Sequence, residues 1–148
     1  MIGKIKYAPG TLASLLVCII FLLLINIFNI TILFLITLIL FSYSFIAINN
    51  SFDEFNSDDP QEIVIDEVVG QMLPLLAIPI YETLYPLPPL YYYVSAFILF
   101  RLFDIWKPFP VSYVDNNLKG SLGIMLDDIV AGIYSIITLS LILFFIGG

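Results

Sequence analysis

No charged residue lies between Lys6 and Asp53. That stretch of 46 residues far exceeds the roughly 20 needed for one bilayer crossing and suits two. The break between the two falls at Asn26-Ile27-Phe28-Asn29, where amide side chains interrupt the apolar run. A cleaved signal peptide would follow a short apolar core with a small-residue cleavage site. Here the apolar run simply continues, so it is read as retained.

The rest of the chain has the same character, with 61% hydrophobic and only 11% charged residues overall. An ordinary soluble domain carries far more charge, so this is an integral membrane protein. Val68 to Tyr81 contains Pro74 and Pro79 and is short, and it is expected to be a kinked crossing reaching about Leu84 rather than a re-entrant segment. Pro86, Pro88 and Pro89 make a stiff turn. Leu90 to Phe103 then returns, with Tyr91, Tyr92 and Tyr93 as an interfacial aromatic cluster. Ile129 to Gly148 is the last span, and Ile48 to Gln61 and Phe109 to Gly123 read as short interfacial loops. The expectation is an all-α, polytopic membrane helical bundle of about five short transmembrane helices, forming one membrane-embedded domain over residues 1–148. Lys4 and Lys6 precede the first span, which puts the N-terminus in the cytoplasm by the positive-inside tendency. Alternation then brings Asp53 to Glu67 and Arg101 to Asp128 to that same face, leaving Glu82 opposite.

Two acidic pairs stand at the mouths of apolar runs. Asp66-Glu67-Val68-Val69-Gly70 and Asp127-Asp128-Ile129-Val130-Ala131 share a pattern of two acids, a β-branched pair and a small residue. Carboxylates beside apolar spans are rare, and they usually face a polar cavity or a cation. Twelve acids against five bases give a net charge of −7, which repels bare anions. An anionic substrate therefore needs a divalent cation as mediator, and a hard ion such as Mg²⁺ takes oxygen ligands and bridges carboxylate to phosphate. Arg101, Asp104 and Lys107 recur at three-residue steps, near one face of a helix end. A phosphate held by Arg101 and Lys107 beside a metal on Asp104 is physically sensible. Nucleic acid is not an expected partner, because there is no basic patch.

Absences narrow the chemistry further. The chain has no histidine, and its one cysteine, Cys18, lies inside an apolar span where a reactive thiolate is disfavoured. No aspartates are spaced Asp-x-Asp, and zinc sites built on histidine and cysteine are excluded. Carboxylate-bound hard metal remains.

Each feature also has a plainer reading. Pro9-Gly10-Thr11 can be a helix start with Thr11 as its cap, and the acidic pairs can be first-turn helix acids on the macrodipole. Asp104 with Arg101 or Lys107 can be an interfacial salt bridge. Asp53, Glu54, Asp58, Asp59 and Glu62 read as a solvated loop, Gly70 and Gly132 as close-packing positions between helices, and Trp106 with the tyrosines as interfacial anchors.

Four blocks carry a more specific signal: Ala8-Pro9-Gly10-Thr11, Ile63 to Gln71 (with Asp66-Glu67), Phe100 to Pro108 (with Arg101, Asp104 and Lys107), and Gly123 to Gly132 (with Asp127-Asp128). In order and approximate spacing, across roughly Tyr7 to Gly132, they resemble the phosphatidylglycerophosphatase A family. Ala13 and Ser121 stand where that family usually has glycine. The resemblance implies a Mg²⁺-dependent phosphatase of the bacterial inner membrane that converts phosphatidylglycerol phosphate to phosphatidylglycerol, working from the lipid bilayer with its site on the cytoplasmic face. Asp66, Asp104, Asp127 and Asp128 would hold one or two Mg²⁺, with Glu67 either a further ligand or the base for the attacking water. Arg101 and Lys107 would hold phosphate oxygens, and Gly10, Thr11 and Ser14 would present amides and hydroxyls to the phosphate at a helix N-terminus. The alternative from another class is a small cation- or proton-coupled transporter, whose broken helices place sites near the bilayer midplane. Nothing in the sequence fixes an oligomeric state.

Overall fold

The computed structural model describes residues 9–54, 63–117 and 121–147. Every element among them is helical: α1 (Pro9–Leu24), α2 (Ile30–Glu54), α3 (Ile63–Leu84), α4 (Pro89–Trp106), the short α5 (Val111–Asn117) and α6 (Ser121–Gly147). Helices pair their own backbone groups, as a chain this apolar requires in hydrocarbon. The expected break between the first two helices is built by its two asparagines. Asn26 donates its side-chain amide to the Leu22 carbonyl at 2.8 Å, which satisfies a group left over at the end of α1. Asn29 accepts the Thr31 N–H at 3.2 Å, as capping residues do at a helix start.

α3 runs unbroken from Ile63 to Leu84 through Pro74 and Pro79, so the crossing is preferred over the re-entrant segment. It is also the most enclosed of the three helices that are long and apolar enough to cross a membrane, which are Ile30–Ala47, Val64–Leu84 and Met125–Gly147. α1 is apolar but only 16 residues long, and α4 carries Arg101 and Asp104 in its last turns. The expected count of about five spans is therefore looser than the helix count: among the described residues three helices meet the requirement outright.

Contacts fix the helix directions. Gly10 of α1 lies against Glu67 of α3, while Tyr85 just after α3 lies against Gly147 at the end of α6. Tyr81 near the end of α3 reaches Ser140 of α6 at 2.7 Å. Hence α1, α3 and α6 run one way and α4, entered through the Pro86–Pro89 turn, runs back. The starts of α1, α3 and α6 and the end of α4 share one end of the bundle. Phe21, Leu33, Leu75, Ile78, Ala96, Leu139 and Leu143 fill the interior, and large apolar side chains such as Leu16, Ile39, Ile98 and Phe145 are exposed on the outside. That outward surface suits lipid.

Several boundaries differ from the sequence reading. α2 continues to Glu54, so the first part of the expected Ile48 to Gln61 loop is helix; no Gly or Pro breaks it there. Residues 55–62, including Asp58, Asp59 and Glu62, lie outside the described residues. The expected Phe109 to Gly123 loop contains α5, and α6 begins at Ser121 rather than Ile129. Asp127 and Asp128 accordingly sit inside α6, not at its mouth. Tyr92 and Tyr93 are buried rather than interfacial, because Tyr92 Oη turns inward to donate to the Tyr85 carbonyl and accept from the Leu87 N–H, stitching the α3–α4 turn. Trp106 is exposed, as an anchor would be.

Candidate active site

The end of the bundle where four helix termini meet collects the acids. α3 carries Asp66 in its first turn, and Glu67 follows, with its backbone N–H donating to Asp66 Oδ1 at 2.9 Å. The pair therefore points in two directions: Asp66 is turned back toward its own backbone, and Glu67 projects toward α1 and α4. Gly10 makes this possible, because a Cβ at that position would overlap the Glu67 carboxyl. α1 starts at Pro9, so Thr11 sits within the first turn and does not cap it.

α4 delivers the bases. Arg101 meets Asp104, one turn on, at 2.7 Å and Glu67 at 3.5 Å. These are contacts of charge more than of alignment, since buried Arg101 Nη1, which makes them, has no aligned hydrogen-bond acceptor among the described residues, and neither has Nε. Lys107 does not continue the helix as the three-residue spacing suggested. It occupies the left-handed region at φ 47°, with its N–H bonded to the Phe103 carbonyl, and closes α4 ahead of Pro108. This turn sends its Nζ to Asp127 Oδ2 at 2.8 Å, away from Arg101. The two bases thus serve different acids.

α6 supplies the second acidic pair from inside the helix. Asp127 and Asp128 are both buried, as is Asp66. Asp128 feels Asp66, Asp104 and Asp127 and lies within hydrogen-bonding reach of Asp104. A capping role for this pair is removed by their position well after Ser121. Among the described residues, carboxylates from three helices, Asp66, Glu67, Asp104, Asp127 and Asp128, therefore share one end of the bundle with Arg101 and Lys107.

That donor set is all oxygen and short of positive charge, which is the chemistry a hard divalent ion fits. The side chains do not converge on one point, however: among the described residues no three carboxylates form a group arranged to hold a metal. The reason is visible in the ion pairs, which aim Glu67 and Asp104 at Arg101 and Asp127 at Lys107. Ser14 makes no hydrogen bond to the acids: it is wholly buried on α1 with its Oγ unpartnered among the described residues. The sequence reading passed over Gln71, one turn beyond Glu67, which is wholly enclosed with neither amide atom partnered among the described residues. A lone polar residue in the apolar part of the Ile63 to Gln71 block was its signal.

Comparison with known proteins gives this cluster its context. The profile of the phosphatidylglycerophosphatase A family matches residues 1–143. The chain belongs to that family. It is thus a phosphatase, and the acidic end of the bundle holds the residues of the blocks that carried the resemblance. A Haemophilus influenzae phosphatidylglycerophosphatase A is 36% identical over 91% of this chain and 78% of its own length. The Escherichia coli phosphatidylglycerophosphatase A is 41% identical over 60% of this chain and 45% of its own length. A Bacteroides thetaiotaomicron protein provisionally named a phosphatidylinositol-3-phosphatase is 38% identical over 98% of this chain and 89% of its own length. No solved structure matches the chain. Family membership leaves no place for the transporter alternative.

Proposed function

We propose that this chain hydrolyses the phosphomonoester of phosphatidylglycerol phosphate, releasing phosphatidylglycerol and inorganic phosphate in glycerophospholipid biosynthesis. The observation that carries this reading is the gathering of Asp66, Glu67, Asp104, Asp127 and Asp128 with Arg101 and Lys107 at one end of the bundle. In a bacterial inner membrane that end would face the cytoplasm, following Lys4 and Lys6.

Phosphoryl transfer depends on position and charge neutralisation more than on covalent chemistry by the protein. Mg²⁺ held by Asp66, Asp104, Asp127 and Asp128 would neutralise charge on the phosphoryl oxygens. The chain's own groups do the rest. Arg101 and Lys107, released in part from their carboxylates, orient the phosphate. The amides of Gly10 and Thr11 in the first turn of α1 add donors for its oxygens. Glu67 accepts a proton from the attacking water. The water oxygen bonds to phosphorus as the bond from phosphorus to the glycerol oxygen breaks, and the glycerol oxygen leaves as the alcohol by taking up the proton that Glu67 accepted.

Phosphate release by the purified chain tests the reading, with phosphatidylglycerol phosphate, phosphatidylinositol 3-phosphate and phosphatidic acid supplied separately in mixed micelles, each with and without Mg²⁺. Preferred release from phosphatidylglycerol phosphate is expected. Preference for the phosphoinositide would instead align the chain with the substrate in its Bacteroides relative's name, and release from none would end the proposal.

A further inference from the structure

α1 and α4 leave a cavity of about 440 Å³ between them, walled by Thr11 in the first turn of α1 and by Phe97, Ile98, Arg101 and Leu102 of α4, with Trp106 at its end. Its volume falls within the roughly 300–1,000 Å³ of small-molecule sites. The lining is apolar except at Thr11 and Arg101. Ile98, Leu102 and Trp106 are also exposed, so the cavity opens through the side of the bundle onto the lipid-facing surface. A soluble metabolite would have no reason to approach from there.

Arg101 belongs both to this groove and to the acidic cluster. Its stem lines the groove, its Nη1 meets Asp104 and Glu67, and its buried Nε has no acceptor among the described residues. The groove is therefore hydrocarbon-like along its length, and midway along its α4 wall it meets Arg101, whose guanidinium lies behind the apolar lining against Asp104 and Glu67. A phospholipid carrying a terminal phosphate has the same profile: apolar chain, then glycerol, then anion. Long side chains such as arginine commonly lie this way, with an apolar stem and a polar head.

We propose that the α1–α4 groove receives an acyl chain and the glycerol of the lipid substrate sideways from the bilayer, with Arg101 marking the point where its phosphate turns into the acidic site. The proposal rests on the phosphomonoesterase reading above and adds the route and the residues. Chain and groove are both hydrocarbon surroundings, so apolar transfer contributes little to binding. Selection then comes from shape along Phe97 to Leu102 and from charge at Arg101.

The test uses the full chain in phosphatidylcholine vesicles with phosphatidic acid bearing a diazirine midway along one acyl chain. Photolabel should concentrate on residues 97–102 and the first turns of α1, and unlabelled phosphatidic acid should remove it while added phosphatidylcholine should not. Label spread evenly over the exposed faces of α2 and α6, or displaced equally by phosphatidylcholine, overturns the proposal. Kinetics give an independent arm. Leu102→Trp should raise KM for phosphatidylglycerol phosphate about tenfold with kcat held within about twofold, whereas Ile20→Trp, on exposed surface of α1, should leave both near wild type. Equal effects of the two substitutions also overturn it. If the wild-type chain releases no phosphate, the phosphomonoesterase reading fails on its own, and the labelling pattern still decides the groove.

Discussion

The backbone carbonyl of Gly70 in α3 fills the space where a side chain on Gly132 of α6 would stand: a Cβ on Gly132 would lie 2.7 Å from that oxygen. The approach is reciprocal, since a Cβ on Gly70 would lie 2.9 Å from the Asp128 carbonyl and 2.8 Å from the Phe100 ring. Pro74 explains why the Gly70 carbonyl is available, because proline lacks the N–H that would bond it four residues back. Cα–H···O contacts at such crossings give weak compensation. The crossing holds the turn bearing Asp128 against the turn that follows Asp66 and Glu67.

Gly132→Ala is therefore expected to destabilise. Alanine favours a helix interior by about 1 kcal/mol over glycine, but overpacking costs about 1–3 kcal/mol, and here the obstructing atom is backbone that cannot rotate aside. Thermal unfolding in detergent should show a lowered Tm, with phosphate release falling further than the folded fraction. Ile137→Ala, at an exposed position of the same helix, serves as control. A Gly132→Ala protein more stable than wild type would remove the crossing from the account.

Substitution separates the clustered acids from those read in the sequence as a solvated loop. Asp66→Asn, Asp127→Asn and Asp128→Asn keep size and polarity while removing charge, and each is expected to lower phosphate release about a thousandfold, equivalent to about 4 kcal/mol of transition-state stabilisation. Asp58→Asn and Asp59→Asn should change it little. Membrane insertion measured in parallel distinguishes lost chemistry from lost protein. Near-normal hydrolysis by both Asp127→Asn and Asp128→Asn would end their assignment to the site.

Much of this was legible in the chain. The charge-free run to Asp53 announced two helices, and Asn26 and Asn29 marked their junction because amides can finish one helix and start the next. Gly70 and Gly132 read correctly as packing positions. What spacing alone did not reveal was direction. Arg101, Asp104 and Lys107 suggested one helical face, but the left-handed turn at Lys107 depends on how α4 ends against α6, a tertiary matter. The same holds for Asp127 and Asp128: charge inside an apolar helix looks like a boundary until the partners across the bundle are known. Tyr92 resembled an interfacial anchor because its backbone partner at Tyr85 is supplied by a turn.

Lys107 offers a test of that turn. A side chain in the left-handed region costs about 1–2 kcal/mol that glycine does not incur, so the Asp127 pair must offset part of this strain. Lys107→Gly and Lys107→Ala both lose the pair, but only alanine keeps the strain. The glycine variant is expected to be the more stable by about 1 kcal/mol, read as a difference in Tm, with activity reduced similarly in both. Wild-type activity in either would show that the pair with Asp127 plays no part in hydrolysis.

Metal removal probes the same charges from the other side. Chelation is expected to abolish phosphate release, and Mg²⁺ or Mn²⁺ should restore it, since the clustered donors are all oxygen. Metal-free protein should keep its helical circular dichroism, because the interior that holds the helices together is apolar. Undiminished hydrolysis in chelator would assign the carboxylates another purpose.

The direction of the helices makes topology the most discriminating measurement. Asn116 in α5 lies toward the acidic end of the bundle, and Thr83 lies at the far end of α3; both are exposed. If α1 and α4 cross the bilayer along with the three longer helices, those two positions fall on opposite faces. In a Cys18→Ser background, which removes the one native thiol, Thr83→Cys should react with an impermeant thiol reagent applied outside intact cells. Asn116→Cys should react only after the membrane is opened, as the lysines at positions 4 and 6 imply. Labelling of both from outside would mean that α4, which joins the two positions, does not traverse the membrane, and the acidic pairs of α3 and α6 would then have to meet by some other arrangement than parallel crossing helices. Labelling of Asn116→Cys alone would keep the crossing and invert the protein, moving the acidic site to the outer face.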